Sequence, residues 1–276
     1  MNYRHAFHAG NFADLVKHAA LLQVLDTLMA DPSPVHIIDT HAGRGLYDLA
    51  GAEAKRSGEA QAGVSRLAVA QGLPPSLARL RQALVAVNGG SRVSIYPGSP
   101  RLIADQMRPG DSYLACELRP EEHDGLVANL AGRMGVQTAC ADGYRAAWER
   151  LPTKGRALIL IDPPFERADD YQQIVSTLAK AMAKNAQVQS LVWLPIKDLE
   201  TFDGFLRDAE DAGLGDLLIV EARMRPLNDP MTMNGCALVL SRAPRELDPA
   251  LAAICDWVVS TLGDGGQSRV WRTAKC

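Results

Sequence analysis

Seven short apolar runs, each five to seven residues long and separated by helix-like segments, limit most strongly what this chain can form. They fall at 35–39, 112–117, 135–140, 156–162, 190–195, 216–221 and 236–241. In most of them apolar residues follow one another almost without interruption, as in strands buried on both faces. Strands alternating with helices give a mostly parallel sheet covered by helices on both sides. The expected fold class is therefore α/β, with a seven-stranded sheet.

One stretch breaks this rhythm. No strand pattern occurs from Gly51 to about Arg92, while Leu67, Leu73, Leu77, Leu80, Leu84 and Val87 recur at helical spacing. Breakers at Gly72-Leu-Pro-Pro and Asn88-Gly-Gly bracket the second of two short helices. The expected organisation is one domain built from residues 1–50 and 93–276, with a helical insertion at 51–92. Long insertions cost little closure entropy and often carry recognition.

Composition narrows the class. At 276 residues and 47% hydrophobic, the chain can bury a sizeable core. No apolar run approaches the ~18 residues of a membrane span, and Arg4, His5, His8, Asn11 and Asp14 leave no apolar centre for a secretory signal. A soluble, cytoplasmic protein without membrane partners is expected. The cysteines (Cys116, Cys140, Cys236, Cys255 and Cys276) have no ligand-like spacing, so neither a disulfide framework nor a zinc site is expected. Cys116 and Cys140, in strand-like runs, read as small hydrophobes. The net charge of −3 means that phosphate contacts would have to come from a local patch.

The chemistry gathers where strands end. Asp39-Thr-His-Ala-Gly-Arg-Gly45 follows the first strand, where glycines allow a tight turn and close approach of a ligand. It lacks the third glycine of a dinucleotide fingerprint, and an acid-ended strand comes only at Glu117. Glu117 could accept ribose hydroxyls of an adenosine-containing cofactor, or be a solvated strand-end charge. Asp142-Gly143, after the third strand, could take an adenine amino hydrogen or be an ordinary turn.

Asp162-Pro-Pro-Phe165 closes the most apolar strand. The prolines stop the strand and leave carbonyls free. Asp162 and the Pro163 carbonyl supply two acceptors for the two hydrogens of an adenine N6 amino group, localising its lone pair. Phe165 offers a stacking face worth about 1–3 kcal/mol. The alternative is a rigid turn.

Asp-Pro-Pro-aromatic resembles the signature of amino-group methyltransferases acting on adenine, cytosine or glutamine. The opening segment Asn2-Tyr-Arg-His-Ala-Phe-His-Ala-Gly-Asn-Phe-Ala-Asp-Leu-Val-Lys-His18 resembles that of the bacterial adenine-N6 methyltransferases of large-subunit ribosomal RNA. So do Asp39-Thr-His-Ala-Gly43, Tyr96-Pro-Gly-Ser-Pro100, Ala141-Asp-Gly143 and Leu158-Ile-Leu-Ile-Asp-Pro-Pro164. The resemblance covers nearly the whole chain in order, insertion included.

It implies a Rossmann-like methyltransferase fold and S-adenosylmethionine as cofactor. His18, His41, Gly43, Ser99, Glu117, Asp142 and Gly143 would line the cofactor site, with Asp162 adjoining it. It implies Asp162, Pro163 and Phe165 as the catalytic group, and Tyr3, Arg4 and Phe165 against the substrate RNA. Phe165 stands where tyrosine is commoner in the family. Large-subunit ribosomal RNA, protein-free or early in assembly, is the expected partner of a monomer.

A neutral carbonyl cannot take the departing proton, and the sequence does not assign that proton to Asp162. The group Arg4, His5, His8, Lys17 and His18 reads as a polar surface around the pocket, without a metal. The 223–235 segment reads equally as a connection or as a wall of the base pocket. DNA adenine or a glutamine side chain are the alternative substrates. A dehydrogenase and a non-catalytic ribosomal RNA-binding assembly factor are rivals from other classes.

Overall fold

The computed structural model describes residues 8–51 and 58–274. Helix α1 (Phe12–Met29) opens the described chain, capped by the Asn11 side chain, which accepts from the Asp14 N–H at 3.0 Å. It is apolar nearly all round, so it is buried on most sides as a core helix. Strands β1 (Val35–Asp39), β4 (Ser112–Glu117), β5 (Val136–Cys140), β6 (Arg156–Ile161), β7 (Val188–Ile196), β8 (Leu218–Arg223), β9 (Gly235–Ser241) and β10 (Gln267–Arg272) form one sheet in the order β10-β8-β9-β7-β6-β1-β4-β5. The β5-β4-β1-β6-β7 half is parallel, while β9 runs antiparallel to β7 and β8, and β10 to β8.

All seven expected strands are present, with an eighth beyond them. In β10, Gln267-Ser-Arg-Val-Trp-Arg272, polar and apolar residues mix because the strand is a half-exposed edge. It gives no continuous apolar run. Cys140 also departs from expectation: it lies exposed at the end of the outer strand β5, whereas Cys116, on the inner neighbour β4, is buried.

The insertion is closed at its base by a small antiparallel ribbon, β2 (Leu46–Asp48) on β3 (Ile95–Pro97), too short to leave a periodic signal. Its helices are α2 (Glu59–Ala62), α3 (Val64–Val69) and α4 (Pro75–Asn88). The expected first helix is broken at Gly63, where a Cβ would meet the Gly10 carbonyl oxygen at 2.2 Å. Leu67, Leu77, Leu80 and Leu84 are fully buried in the same core as α1.

The remaining helices are α5 (Ser99–Ala104), α6 (Pro120–Leu130), α7 (Gly143–Glu149), α8 (Asp170–Lys184), α9 (Leu199–Asp211) and α10 (Leu247–Leu262). Two core clusters cover the sheet's faces, one containing α1, α4 and α10, the other α7, α8 and α9. No helix among the described residues is long and apolar enough to cross a membrane.

Candidate active site

The chain leaves β1 for β4 and β5 on one side, then crosses to β6 on the other. Ligands bind at such a reversal, outside the carboxyl ends of the strands. A cavity of about 630 Å³ opens there, within the usual range for cofactor sites. His18, His41, Gly43, Ser99, Glu117, Asp142, Gly143, Asp162, Pro163 and Phe165 all line it. Tyr3 and Arg4 lie outside the described residues.

Backbone bonds fix the first wall. The loop after β1 is tied to its neighbours by Thr40 N–H to the Leu160 carbonyl (3.0 Å) and Ala42 N–H to the Cys116 carbonyl (2.9 Å). One Glu117 oxygen accepts from Gly43 N–H (3.0 Å) and the other from Arg119 N–H (2.8 Å). Each oxygen retains a lone pair, so the carboxylate can still take hydroxyls. Asp142 caps α7, and Gly143 passes so close to β1 that a Cβ would meet the Thr40 carbonyl oxygen at 1.8 Å.

Beneath this wall, Asp39 is fully buried, accepting from Ser99 Oγ at 2.7 Å and Tyr113 OH at 3.3 Å. Burial raises its pKa to about 7; the Ser99 bond opposes the shift and the Asp162 charge adds to it. Burial lowers His41 to about 4 despite the nearby carboxylates of Asp162 and Asp142. His41 bonds Thr40 Oγ1 through Nδ1 (2.7 Å) and meets Tyr144 edge-on at 4.8 Å. His18 bonds the buried Tyr96 hydroxyl at 2.7 Å, which ties α1 to β3.

These two shifts oppose each other in a way that pH can resolve. Folded Asp39 keeps its proton to about pH 7, while the unfolded side chain loses it near pH 4. Its stabilising contribution therefore declines as pH rises through that window. Folded His41 stays neutral down to about pH 4, whereas the unfolded ring charges below about 6.5, so its contribution grows with pH. Asp39→Asn removes only the declining part. Its unfolding free energy should climb more steeply from pH 4 to 6.5 than that of the unaltered chain, by up to about 1.4 kcal/mol per pH unit. Equal slopes would mean that folded Asp39 does not hold its proton.

At the reacting end, Asp162 follows β6 and its carboxylate contacts the Lys17 ammonium at 2.5 Å; Lys17 also pairs with Asp14 at 2.9 Å. Burial alone would lower the Lys17 pKa, but the two carboxylates more than offset it and hold it well above its ordinary value. Lys17 and His18 were expected on a polar surface. They line the cavity but are buried, and Lys17 is spent on two carboxylates rather than offered to RNA. His8 stays at the rim, raised by its hydrogen bond to Glu59.

Phe165 has φ +52°, an uncommon conformation for a residue with a side chain, and its ring centroid lies 5.0 Å from Tyr171 and 5.8 Å from Trp193. Trp193 and Met233 join it in the lining. Met233 belongs to the 223–235 segment, which Asn234 braces by donating to the Lys197 and Asp229 carbonyls. One end of that segment is thus wall, and its tip, with Met231 86% exposed, points away. Sequence reading missed Trp193, Asp39 and the Lys17 bridge. Asp14 and Lys17, three apart on one helix, were legible as a pair, but nothing local links them to Asp162.

Fold and site together define a Rossmann-like methyltransferase. The family model described as "RsmJ: Ribosomal RNA large subunit methyltransferase D, RlmJ" matches residues 32–273, and the chain belongs to that family. It is 31% identical to a Haemophilus influenzae protein named Ribosomal RNA large subunit methyltransferase J, across 99% of both chains. It is 30% identical to the Escherichia coli protein of the same name, across 96% of this chain and 95% of that one. A crystal structure of a Legionella pneumophila protein superposes with a TM-score of 0.88 at 26% identity, covering 97% of this chain and 99% of the other.

The cofactor is S-adenosylmethionine. The cavity suits it chemically: Glu117 and Asp142 offer carboxylate acceptors for the hydroxyl and amino donors of an adenosine, and the acidic lining favours a cationic sulfonium.

Proposed function

We propose that this enzyme transfers a methyl group to N6 of an adenine in large-subunit ribosomal RNA, as a cytoplasmic monomer acting on protein-free or early-assembly RNA. The observation that carries the reading is the Asp162-Pro-Pro-Phe165 turn at the cavity, its carboxylate steadied by Lys17 and its ring set beside Trp193. The names of the two curated relatives support the RNA class. We assign His18, His41, Gly43, Ser99, Glu117, Asp142, Gly143 and Asp162 to the cofactor, and Asp162, Pro163 and Phe165 to catalysis. The 51–92 insertion is taken as a subdomain of the methyltransferase domain formed by 1–50 and 93–276.

Bound S-adenosylmethionine supplies an electrophilic methyl on a sulfonium. The chain's task is to place the nucleophile. Asp162 accepts one N6 hydrogen and the Pro163 carbonyl the other, which turns the nitrogen lone pair towards the methyl. Phe165 stacks on the base once it has left its helix, a step costing a few kcal/mol unless the base is unpaired. Held by an ammonium at 2.5 Å, Asp162 is fitted to orient N6 and to stabilise positive charge developing there, and the methylated nitrogen then sheds one of its two hydrogens as a proton to solvent.

The test is methyl transfer from labelled S-adenosylmethionine to protein-free large-subunit ribosomal RNA beside a DNA oligonucleotide, with nucleoside analysis. N6-methyladenosine in the RNA alone is expected. Label in the DNA alone would overturn the RNA reading while keeping the fold and cofactor. Within this reading, Phe165→Ala should lower kcat/KM for RNA roughly 5- to 150-fold, the equivalent of about 1–3 kcal/mol of stacking. Phe165→Tyr, which keeps the ring, should stay close to the unaltered enzyme. Near-normal kinetics for the alanine variant would remove Phe165 from the base.

A further inference from the structure

From residue 60 to residue 104 the chain contains five arginines (Arg66, Arg79, Arg81, Arg92 and Arg101) and no lysine, aspartate or glutamate. The whole chain has 29 basic and 32 acidic residues, so charge is segregated: this stretch is purely basic and the remainder is more acidic than the whole. It comprises most of the insertion together with β3 and α5.

Two of the five charges are spent locally. Arg79 pairs with Asp26, and Arg101 with Asp105. Arg66, Arg81 and Arg92 have no carboxylate partner among the described residues. Arg66 is exposed on α3 and donates one N–H to the Thr261 carbonyl at 3.2 Å. Arg81, half-buried on α4, donates to the Ala70 carbonyl at 2.7 Å. Ala70 follows α3 four residues after Arg66, so the Arg81 guanidinium is anchored about 6 Å further along that helix. A carbonyl acceptor leaves the positive charge and the remaining N–H donors available while restricting the side chain. Arg92 stands exposed in the turn after α4.

The same element is fastened to the cavity rim. Val64 N–H bonds the Gly10 carbonyl at 2.8 Å, and Glu59, which lines the cavity, holds His8 and Asn11, each at 2.9 Å. Arg66 lies two residues beyond Val64, on the helix whose first residue is bonded to Gly10 beside the rim residues His8 and Asn11. The basic element therefore adjoins the cavity rim.

We propose that the insertion, through Arg66, Arg81 and Arg92, binds phosphates of the substrate RNA flanking the target adenosine. This rests on the RNA reading above. An acidic chain gains phosphate affinity only through such a patch.

The full-length enzyme and its Arg66→Gln/Arg81→Gln/Arg92→Gln variant should be compared for binding to a protein-free large-subunit ribosomal RNA transcript across a salt series, and for methylation of it. The triple variant should bind at least about tenfold more weakly, with a log K against log salt slope shallower by about 2, near 0.7 per lost contact. KM for RNA should rise while kcat at saturating RNA holds. Should the triple variant not fold, Arg92→Glu alone, at a side chain with no hydrogen bond among the described residues, should still weaken binding several-fold. Equal affinity and slope in variant and unaltered enzyme would overturn this assignment and leave the RNA reading standing. Failure of the unaltered enzyme to bind RNA would overturn both, and an acidic protein would then become the partner to try.

Discussion

Asp162→Asn should lower methyl transfer by at least about a thousandfold while the protein still folds and binds S-adenosylmethionine. The substitution keeps the shape of the side chain and removes the charge. An amide can turn its NH₂ towards N6, where two donors then face each other and one acceptor is lost. A charge aimed at the reacting atom in a water-poor site is worth roughly 10²–10³ in rate for a single donor or acceptor, and misplaced geometry adds to that. The loss should fall mainly on kcat, with cofactor affinity weakened only modestly by the loss of the Asp162 charge, since Glu117 and Asp142 stand at other strand ends and are untouched. Single-turnover transfer with cofactor binding measured separately would show it. A variant within tenfold of the unaltered enzyme would mean that Asp162 does not orient the nucleophile.

Lys17→Met should produce the largest loss of stability, and a loss of activity with it. Lys17 is 4% exposed and lies between Asp14 at 2.9 Å and Asp162 at 2.5 Å. Methionine fills a similar volume but leaves two carboxylates close together without their cation. Breaking a buried pair from one side costs about 3–5 kcal/mol. At roughly 2–4 °C per kcal/mol for a chain somewhat smaller than this, Tm should fall by about 6–20 °C.

Without the ammonium the two carboxylates repel each other at close range, so added salt, which screens that repulsion, should recover part of the lost stability. Lys17→Met and Asp162→Asn should be non-additive, with a coupling of about 0.5–3 kcal/mol. A Lys17→Met protein as stable as the original would show that the triad is not a unit.

Much of the architecture was legible because strands buried inside a sheet, parallel and antiparallel alike, write nearly continuous apolar runs. β1, β4, β5, β6, β7, β8 and β9 all match such runs to within a few residues. β10 was missed for the complementary reason: an edge strand needs apolar residues on one face only, and the charged Arg269 and Arg272 interrupt its short pattern. The β2–β3 ribbon pairs segments nearly fifty residues apart, a fact no local window contains.

For the site, the sequence by itself determined the acceptors. Carboxylates at the ends of buried strands, Glu117 and Asp162 with Asp142 just beyond, lie at the same edge of any sheet those strands build, because parallel strands share a direction. The glycine loop and the Asp-Pro-Pro-Phe turn are local chemistry, readable residue by residue. Tertiary structure alone decided what neutralises and orients those groups. Lys17 meets Asp162 across 145 positions of chain, Tyr96 holds His18, and Trp193 turns a strand residue into a wall of the cavity. It also decided that Asp39, acidic in the sequence, keeps its proton to about pH 7. Ionisation and orientation depend on which distant groups share a dry interior, and that proximity exists only once the chain has folded.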